Sequence, residues 1–125
     1  MRRDAMRERF ETNVCGVHEL TIRDMPVVRA PGHGRIVQNS SVLGLGAMRW
    51  RAAYVATKFA LEGLTDTLRI EMADTNIKII TIEPGPVTSE IRKKSIPHFE
   101  KWVDWENSPR RAKYEAGLRR RLYED

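Results

Sequence analysis

Two short β-branched runs, each preceded by a long helical pattern, constrain this chain more than any other feature. Arg35-Ile36-Val37-Gln38-Asn39 reads as a strand that ends in polar residues, and Ile77-Lys78-Ile79-Ile80-Thr81-Ile82 as a second, richer one. Before the first, residues 3 to 30 carry Ala5, Met6, Phe10, Val14, Val17, Leu20 and Ile22, mostly at three- and four-residue steps, which predicts one helix. Pro26 is expected to kink or stop its last turn. Between the strands, residues 51 to 73 predict a second long helix with Ala53, Leu61, Leu64 and Leu68 on repeating faces, broken at Asn76. Pro31-Gly32-His33-Gly34 and Glu83-Pro84-Gly85-Pro86 punctuate the order. Residues 89 to 106 and 108 to 123 read as further helices, with Ser108-Pro109 as a cap and first helical residue. Helix, strand, helix, strand, helices is the grammar of a parallel sheet with crossover helices. Two such strands cannot form a stable sheet alone, because a parallel sheet needs both faces covered and more strands. The expected fold is therefore α/β, as a portion of a larger parallel-sheet domain.

The 125 residues allow for one domain or part of one. With 41% apolar and 31% charged residues, a globular protein is expected. No apolar run approaches the ~20 residues of a membrane span, and Met1-Arg2-Arg3-Asp4-Ala5-Met6-Arg7 has no apolar stretch behind its charges, so no secretory signal is read there. A single cysteine, Cys15, excludes an internal disulfide and fits a reducing compartment, which points to the cytoplasm; Cys15 itself reads as a small core residue. No Cys, His and acidic set has metal-ligand spacing, and His18, His33 and His98 have no role read for them. The net charge of +5 gathers at the ends, in Arg2, Arg3, Arg7, Arg9 and in Arg110, Arg111, Arg119, Arg120, Arg121. Asp4, Glu8, Glu11, Glu115, Glu124 and Asp125 interleave with them, the pattern of solvated helix faces rather than of a nucleic-acid surface.

The second helix opens with Tyr54-Val55-Ala56-Thr57-Lys58. A spacing of four puts Tyr54 and Lys58 on one helix face. A phenol titrates near ~10 in the reference state and is a poor base at neutral pH. A neighbouring ammonium favours the phenolate, and a phenol so tuned can act as a general acid or base. Ser41 ends the first strand's exit thirteen residues earlier, where a hydroxyl can hydrogen-bond the oxygen that Tyr54 would protonate. On its own a Tyr-x-x-x-Lys pair is common on helix surfaces, Ser41 can be a strand-end turn residue, as Ser40 is read, and Pro84-Gly85 can be turn punctuation.

These stretches together resemble the short-chain dehydrogenase/reductase family. Gly34-Arg35-Ile36-Val37-Gln38-Asn39-Ser40-Ser41 is similar to its strand leading to the active-site serine, and Tyr54-x-x-x-Lys58 follows at the family's spacing. Phe59-Ala60-Leu61-Glu62-Gly63-Leu64 resembles the helix beyond it. Ile82-Glu83-Pro84-Gly85-Pro86-Val87-Thr88 resembles the proline-glycine motif with its threonine, and Phe10-Glu11-Thr12-Asn13-Val14-Cys15-Gly16 the helix that supplies an asparagine. The resemblance runs from about residue 4 to residue 92. It implies a Rossmann-like doubly wound parallel sheet, of which two strands and their helices are present and both edges missing. Residues 1–88 would be the catalytic-core portion, and 89–125 a helical substrate lid.

The resemblance also implies roles. Tyr54 would be the general acid/base; Lys58 would lower its pKa and bind the nicotinamide ribose. Ser41 would polarise the substrate oxygen, and Asn13 would hold a water of the proton relay. Pro84, Gly85 and Thr88 would line the nicotinamide end of NAD(P)(H), with NADP(H) slightly ahead. The substrate would be a small alcohol or carbonyl. A homodimer or homotetramer would pair through the helices carrying Asn13 and Tyr54, with no nucleic acid as partner. The family's Gly-x-x-x-Gly-x-Gly phosphate loop and its Asn-Asn-Ala-Gly segment do not occur in this sequence. An alternative therefore stands beside the oxidoreductase: an inactive remnant that acts only as an oligomerisation or interaction piece. Met48, Arg49 and Trp50 fall where they can touch substrate or a neighbouring subunit. Phe99, Trp102, Val103 and Trp105 suit either an apolar lid, for a lipid-, retinoid- or steroid-like substrate, or ordinary helix packing.

Overall fold

The structure, a computed structural model, describes residues 2–123; Met1 and the acidic pair Glu124 and Asp125 lie outside the described residues. The chain divides into two compact units, one comprising Met6–Pro86, the other the residues up to Ala5 together with Val87 onward.

In the larger unit, helix α1 (Arg3–Phe10, whose first turn belongs to the other unit) runs through a wide π turn at Glu11–Cys15 into helix α2 (Gly16–Arg29). The expected single helix is thus continuous in path but widened in the middle, where the Gly16 amide reaches back to the Glu11 carbonyl. Pro26 neither stops nor shortens α2 abruptly. It lies inside the last turn, and its carbonyl still receives the Ala30 amide at 3.1 Å. Cys15 is exposed, against the expectation of a core residue, because the buried position of the wide turn is taken by its neighbour Val14.

Strands β1 (Gly34–Asn39) and β2 (Ile77–Ile82) pair in parallel, Gly34 opposite Ile77 through Asn39 opposite Ile82. Helix α3 (Ala52–Glu71) makes the crossover. The side chains of Ile36, Gln38, Ile77, Ile79 and Thr81 share one face with the bare Cα of Gly34, and both long helices pack there. From α2, Thr21 accepts the Gln38 amide at 2.8 Å while giving its own hydroxyl hydrogen to the Val17 carbonyl. Gly34 must lack a side chain, since a Cβ would lie 2.5 Å from Val28 Cγ1 and 3.0 Å from the Val28 carbonyl oxygen. From α3, Arg69 donates to the Ile79 carbonyl at 3.2 Å and to Thr81 Oγ1 at 2.9 Å, and pairs with Asp66. A β2 carbonyl that would otherwise be an unpaired edge acceptor is thereby satisfied.

The core is Val14, Leu61, Ile77 and Ile79 with the buried threonines Thr57 and Thr65; on α3 these give a stripe, Thr57, Leu61, Thr65, at steps of four. The opposite sheet face carries Val37, Ile80 and Ile82, all exposed. Strands apolar on both faces are what a doubly covered parallel sheet requires, so the two-strand α/β arrangement has the character of a Rossmann-like portion.

In the smaller unit, helix α4 (Ile91–Trp102) holds Pro97 within it and buries Phe99. Short helices α5 (Arg111–Lys113) and α6 (Arg120–Tyr123) flank a second π turn at Tyr114–Arg119. The expected cap at Ser108 with Pro109 at the first helical position is a turn instead. Ser108 Oγ accepts the Arg110 amide and its carbonyl accepts the Arg111 amide, so the helix starts two residues later than the cap pattern predicts. Ring contacts hold this unit together. Arg111 and Arg119 stand over Trp105 at 6.0 and 5.9 Å, and the Tyr123 hydroxyl donates to Glu100 at 2.7 Å.

Candidate active site

Parallel strands end together, and the polar exits of β1 and β2 are tied by two backbone bonds. Ser40 N–H donates to the Ile82 carbonyl at 2.8 Å, and Val42 N–H to the Pro84 carbonyl at 3.2 Å. The proline-glycine turn is thereby held beside Ser41. Ser41 is buried and extended, and its Oγ accepts the Leu43 amide at 3.1 Å, capping a short 3-10 turn at Val42–Gly44. That bond uses a lone pair, so the hydroxyl hydrogen stays available for another acceptor.

Helix α3 starts after a sharp bend at Trp50, whose φ of 68° is the left-handed region, costly for a bulky side chain. Tyr54 and Lys58 follow on its first turns, with Lys58 Nζ 5.6 Å from the centroid of the Tyr54 ring. Lys58 crosses to β1 and donates to the Asn39 carbonyl at 2.8 Å. Burial pushes the Lys58 ammonium below the ordinary lysine value, and the Glu62 carboxylate one turn further opposes that shift.

From the other helix, Asn13 sits in the wide π turn. Its Nδ2 donates to Thr57 Oγ1 at 3.1 Å, and Thr57 in turn donates to the Tyr54 carbonyl at 2.7 Å. Asn13, Ser41, Tyr54, Lys58, Pro84 and Gly85 all belong to the larger unit; Thr88 belongs to the smaller one and is exposed. A hollow of about 330 Å³ in the smaller unit is lined by Arg2, Glu100, Trp102 and Trp105 among others, none of them a residue of this group.

Two polar groups next to the site were not singled out by the sequence. Ser40 Oγ and Glu62 Oε1 are buried with no hydrogen-bond partner among the described residues. Both border Gly44, where an added Cβ would lie 2.9 Å from Ser40 Oγ and 3.0 Å from Glu62 Oε1. Glu62 was legible as a carboxylate four residues past Lys58; Ser40 gave no signal apart from its neighbour. Because Glu62 opposes the effect of burial, Glu62→Gln is expected to move the Lys58 titration to lower pH, as followed by NMR of the lysine side chain. The sign for stability follows. Lys58 gives up its proton more readily folded than unfolded, so stability rises with pH between the lowered folded value and 10.5, and the substitution widens that window downwards. An unmoved titration would mean that the carboxylate does not act on Lys58.

A sequence model described as short chain dehydrogenase matches residues 1–99. The chain belongs to the short chain dehydrogenase family. It is 46% identical over 85 residues to the uncharacterized oxidoreductase YbbO of Escherichia coli, a match covering 68% of this chain and 32% of YbbO. It is 40% identical over 90 residues to human retinol dehydrogenase 8, covering 72% of this chain and 29% of that protein. Among solved structures, ElxO with NADP bound superposes with a TM-score of 0.70 at 29% identity, over 80% of this chain and 40% of ElxO. The chain spans about a third of the length of these curated relatives. None of its helices, among the described residues, is long and apolar enough to cross a membrane, and no group of His, Cys and acidic residues there can hold a metal ion.

Proposed function

We propose that this stretch is the proton-transfer portion of an NAD(P)-dependent oxidoreductase acting on an alcohol/carbonyl pair. The observation that carries the reading is the Lys58–Asn39 bond, which brings the Tyr54 face of α3 to the exit of β1, next to Ser41. The donor chemistry fits a nicotinamide ribose. An ammonium has three N–H donors, Asn39 takes one, and two remain for ribose hydroxyls. Pro84 and Gly85 offer the backbone against which the nicotinamide end would lie, with Thr88 following; NADP(H) is the cofactor we favour. When bound, the nicotinamide accepts or supplies the hydride at the substrate carbon.

The chain's own residues handle the oxygen. Ser41 gives its free hydroxyl hydrogen to the substrate oxygen and orients it. Tyr54 takes the proton from the alcohol in oxidation and returns it to the carbonyl oxygen in reduction. Lys58 supplies the positive charge beside the ring that balances a departed phenolic proton. Asn13 holds the water through which that proton reaches solvent. Val42, Leu45 and Met48, all exposed around the Ser41 turn, favour an apolar substrate. Residues 89–125 would act as the substrate lid, and the helices carrying Asn13 and Tyr54 as the dimer or tetramer contact. The place of action we propose is the cytoplasm.

The test is a titration of the 125-residue chain with NADPH and with NADH, read by nicotinamide fluorescence. Saturable binding in the micromolar range is expected. No binding up to millimolar cofactor would overturn the reading for this chain and leave the interaction piece in its place.

A further inference from the structure

The short turn that follows Ser41 packs against α3, and two polar atoms at that contact are without a hydrogen bond. Ser40 Oγ, on a residue 4% exposed, and Glu62 Oε1 are both buried and meet no partner among the described residues. We propose that Glu62 is a positioning residue: its carboxylate takes the Ser40 hydroxyl hydrogen across the bare Cα of Gly44, and so seats the Ser41 turn on the helix of Tyr54 and Lys58. The proposal rests on the role given to Ser41 above.

The two groups are complementary and border one place. A serine hydroxyl has a hydrogen to give, and a carboxylate only accepts. A Cβ built on Gly44 would lie 2.9 Å from Ser40 Oγ, 3.0 Å from Glu62 Oε1 and 2.8 Å from Glu62 Cγ. The Glu62 side chain thus lies on Gly44, in space that a side chain there would fill, and the Ser40 hydroxyl borders the same space. The bond needs the two groups to turn towards each other. Burial favours that turn, because an unpaired hydroxyl or carboxylate away from water bears its full desolvation cost, and buried polar side chains nearly always find a partner. The backbone of Ser40 is already fixed, with its amide given to the Ile82 carbonyl at 2.8 Å.

The bond bears on the site through its neighbours. Asn39 and Ser40 are consecutive, and Lys58 and Glu62 are one helical turn apart. Lys58 donates to the Asn39 carbonyl at 2.8 Å, so a Ser40–Glu62 bond is a second tie between the same two segments, in step with the first. Ser40 and Gly44 also bracket Ser41. They are the two ends of the turn in which Ser41 Oγ accepts the Leu43 amide at 3.1 Å and the Ser41 carbonyl accepts the Gly44 amide at 2.8 Å. A carboxylate arm that lies on one end of this turn and binds the other holds Ser41 in place over the helix that presents Tyr54. Glu62 touches neither substrate nor cofactor in this role. Its charge acts on Lys58 as well, but a glutamine at 62 keeps an acceptor oxygen without the charge, which separates the two effects.

Amide hydrogen exchange on the uniformly labelled 125-residue chain, followed by NMR, tests this without turnover. Ser40→Ala removes the donor and Glu62→Leu the acceptor. Each is expected to speed exchange of the Leu43 and Gly44 amides by about tenfold, the size of a coupling between residues in contact, while the Thr65 amide in the middle of α3 keeps its wild-type rate. The double variant is expected to exchange no faster than either single one. Glu62→Gln is expected to hold the wild-type exchange rates even as it moves the Lys58 titration. Unchanged exchange in Ser40→Ala, single losses that add in the double variant, or a Glu62→Gln chain that exchanges like Glu62→Leu would each overturn the proposal. If Glu62→Leu does not fold, Ser40→Ala and Glu62→Gln still decide. Ser41→Ala keeps this apart from the reading it rests on. Full turnover in Ser41→Ala with the exchange pattern present would remove the role of Ser41 and leave the Ser40–Glu62 bond standing; lost turnover with the pattern absent would remove the bond alone.

Discussion

Replacing Tyr54 by phenylalanine is expected to lower nicotinamide-linked turnover of an apolar alcohol or ketone by roughly a hundred- to ten-thousand-fold, the range that a positioned acid or base contributes. The change removes one oxygen and leaves the ring. The half-buried phenyl can still pack at the first turns of α3 and meet the Lys58 ammonium, which lies 5.6 Å from the ring centroid. The Lys58 bond to the Asn39 carbonyl does not involve the phenol, and neither does the Asn13–Thr57 pair, because Thr57 binds the Tyr54 backbone. Cofactor titration is therefore expected to change little while the chemical step is lost, so kcat falls and KM for the cofactor stays. Lys58→Met separates the two roles differently. It removes both the ribose donors and the charge, so binding and turnover should fall together. If Tyr54→Phe turned over at the wild-type rate, the proton would have to come from another group, and the role given to the α3 face would be wrong.

How far this site could be read from the sequence depends on which interaction sets each residue. The strand Ile77–Ile82 was legible to the residue because β-branched side chains, broken by Lys78 alone, run between two breakers, Asn76 and Pro84. Tyr54 and Lys58 were legible because a helical spacing of four is a fixed geometric fact. The wide turn at Glu11–Cys15 was not. One extra residue in a turn rotates the stripe by about 100°, yet three- and four-residue steps continue on either side of it, so periodicity alone reads one helix straight through. Cys15 was misplaced for the same reason, since its facing changes when the turn widens. Ser108-Pro109 has the composition of a helix start, yet the polar side chain that could have capped a helix satisfies the Arg110 amide in a turn. Thr57 stands at an unassigned position of the pattern between Tyr54 and Lys58. Its signal was present in Thr57, Leu61 and Thr65, a stripe at steps of four in which two members are polar but β-branched and short enough to bond their own helix. A buried stripe with threonines in it asks what the threonines bind, and for Thr57 the answer is Asn13.

That stripe also sets where the chain is weakest. Leu61 is 3% exposed and is the buried large apolar side chain between the two buried threonines of α3, where Phe59 and Leu64 are exposed. The larger unit has only Val14, Ile77 and Ile79 as further buried apolar residues among those described. Leu61→Ala is expected to cost about 2–5 kcal/mol from lost burial and the cavity left behind, against a typical domain stability of about 5–15 kcal/mol. The chain should then lose most of its cooperative urea transition, as read by circular dichroism, while Tyr54→Phe unfolds at the wild-type midpoint. The loss should reach the site as well. Lys58 can meet the Asn39 carbonyl, and Thr57 can meet Asn13, only while α3 is seated on the sheet by the residue between their turns and Thr65. A Leu61→Ala chain with an unchanged midpoint would show that α3 is not held there by its apolar face. The Lys58–Asn39 bond would then need another cause, because no other large apolar side chain of α3 is buried among the described residues.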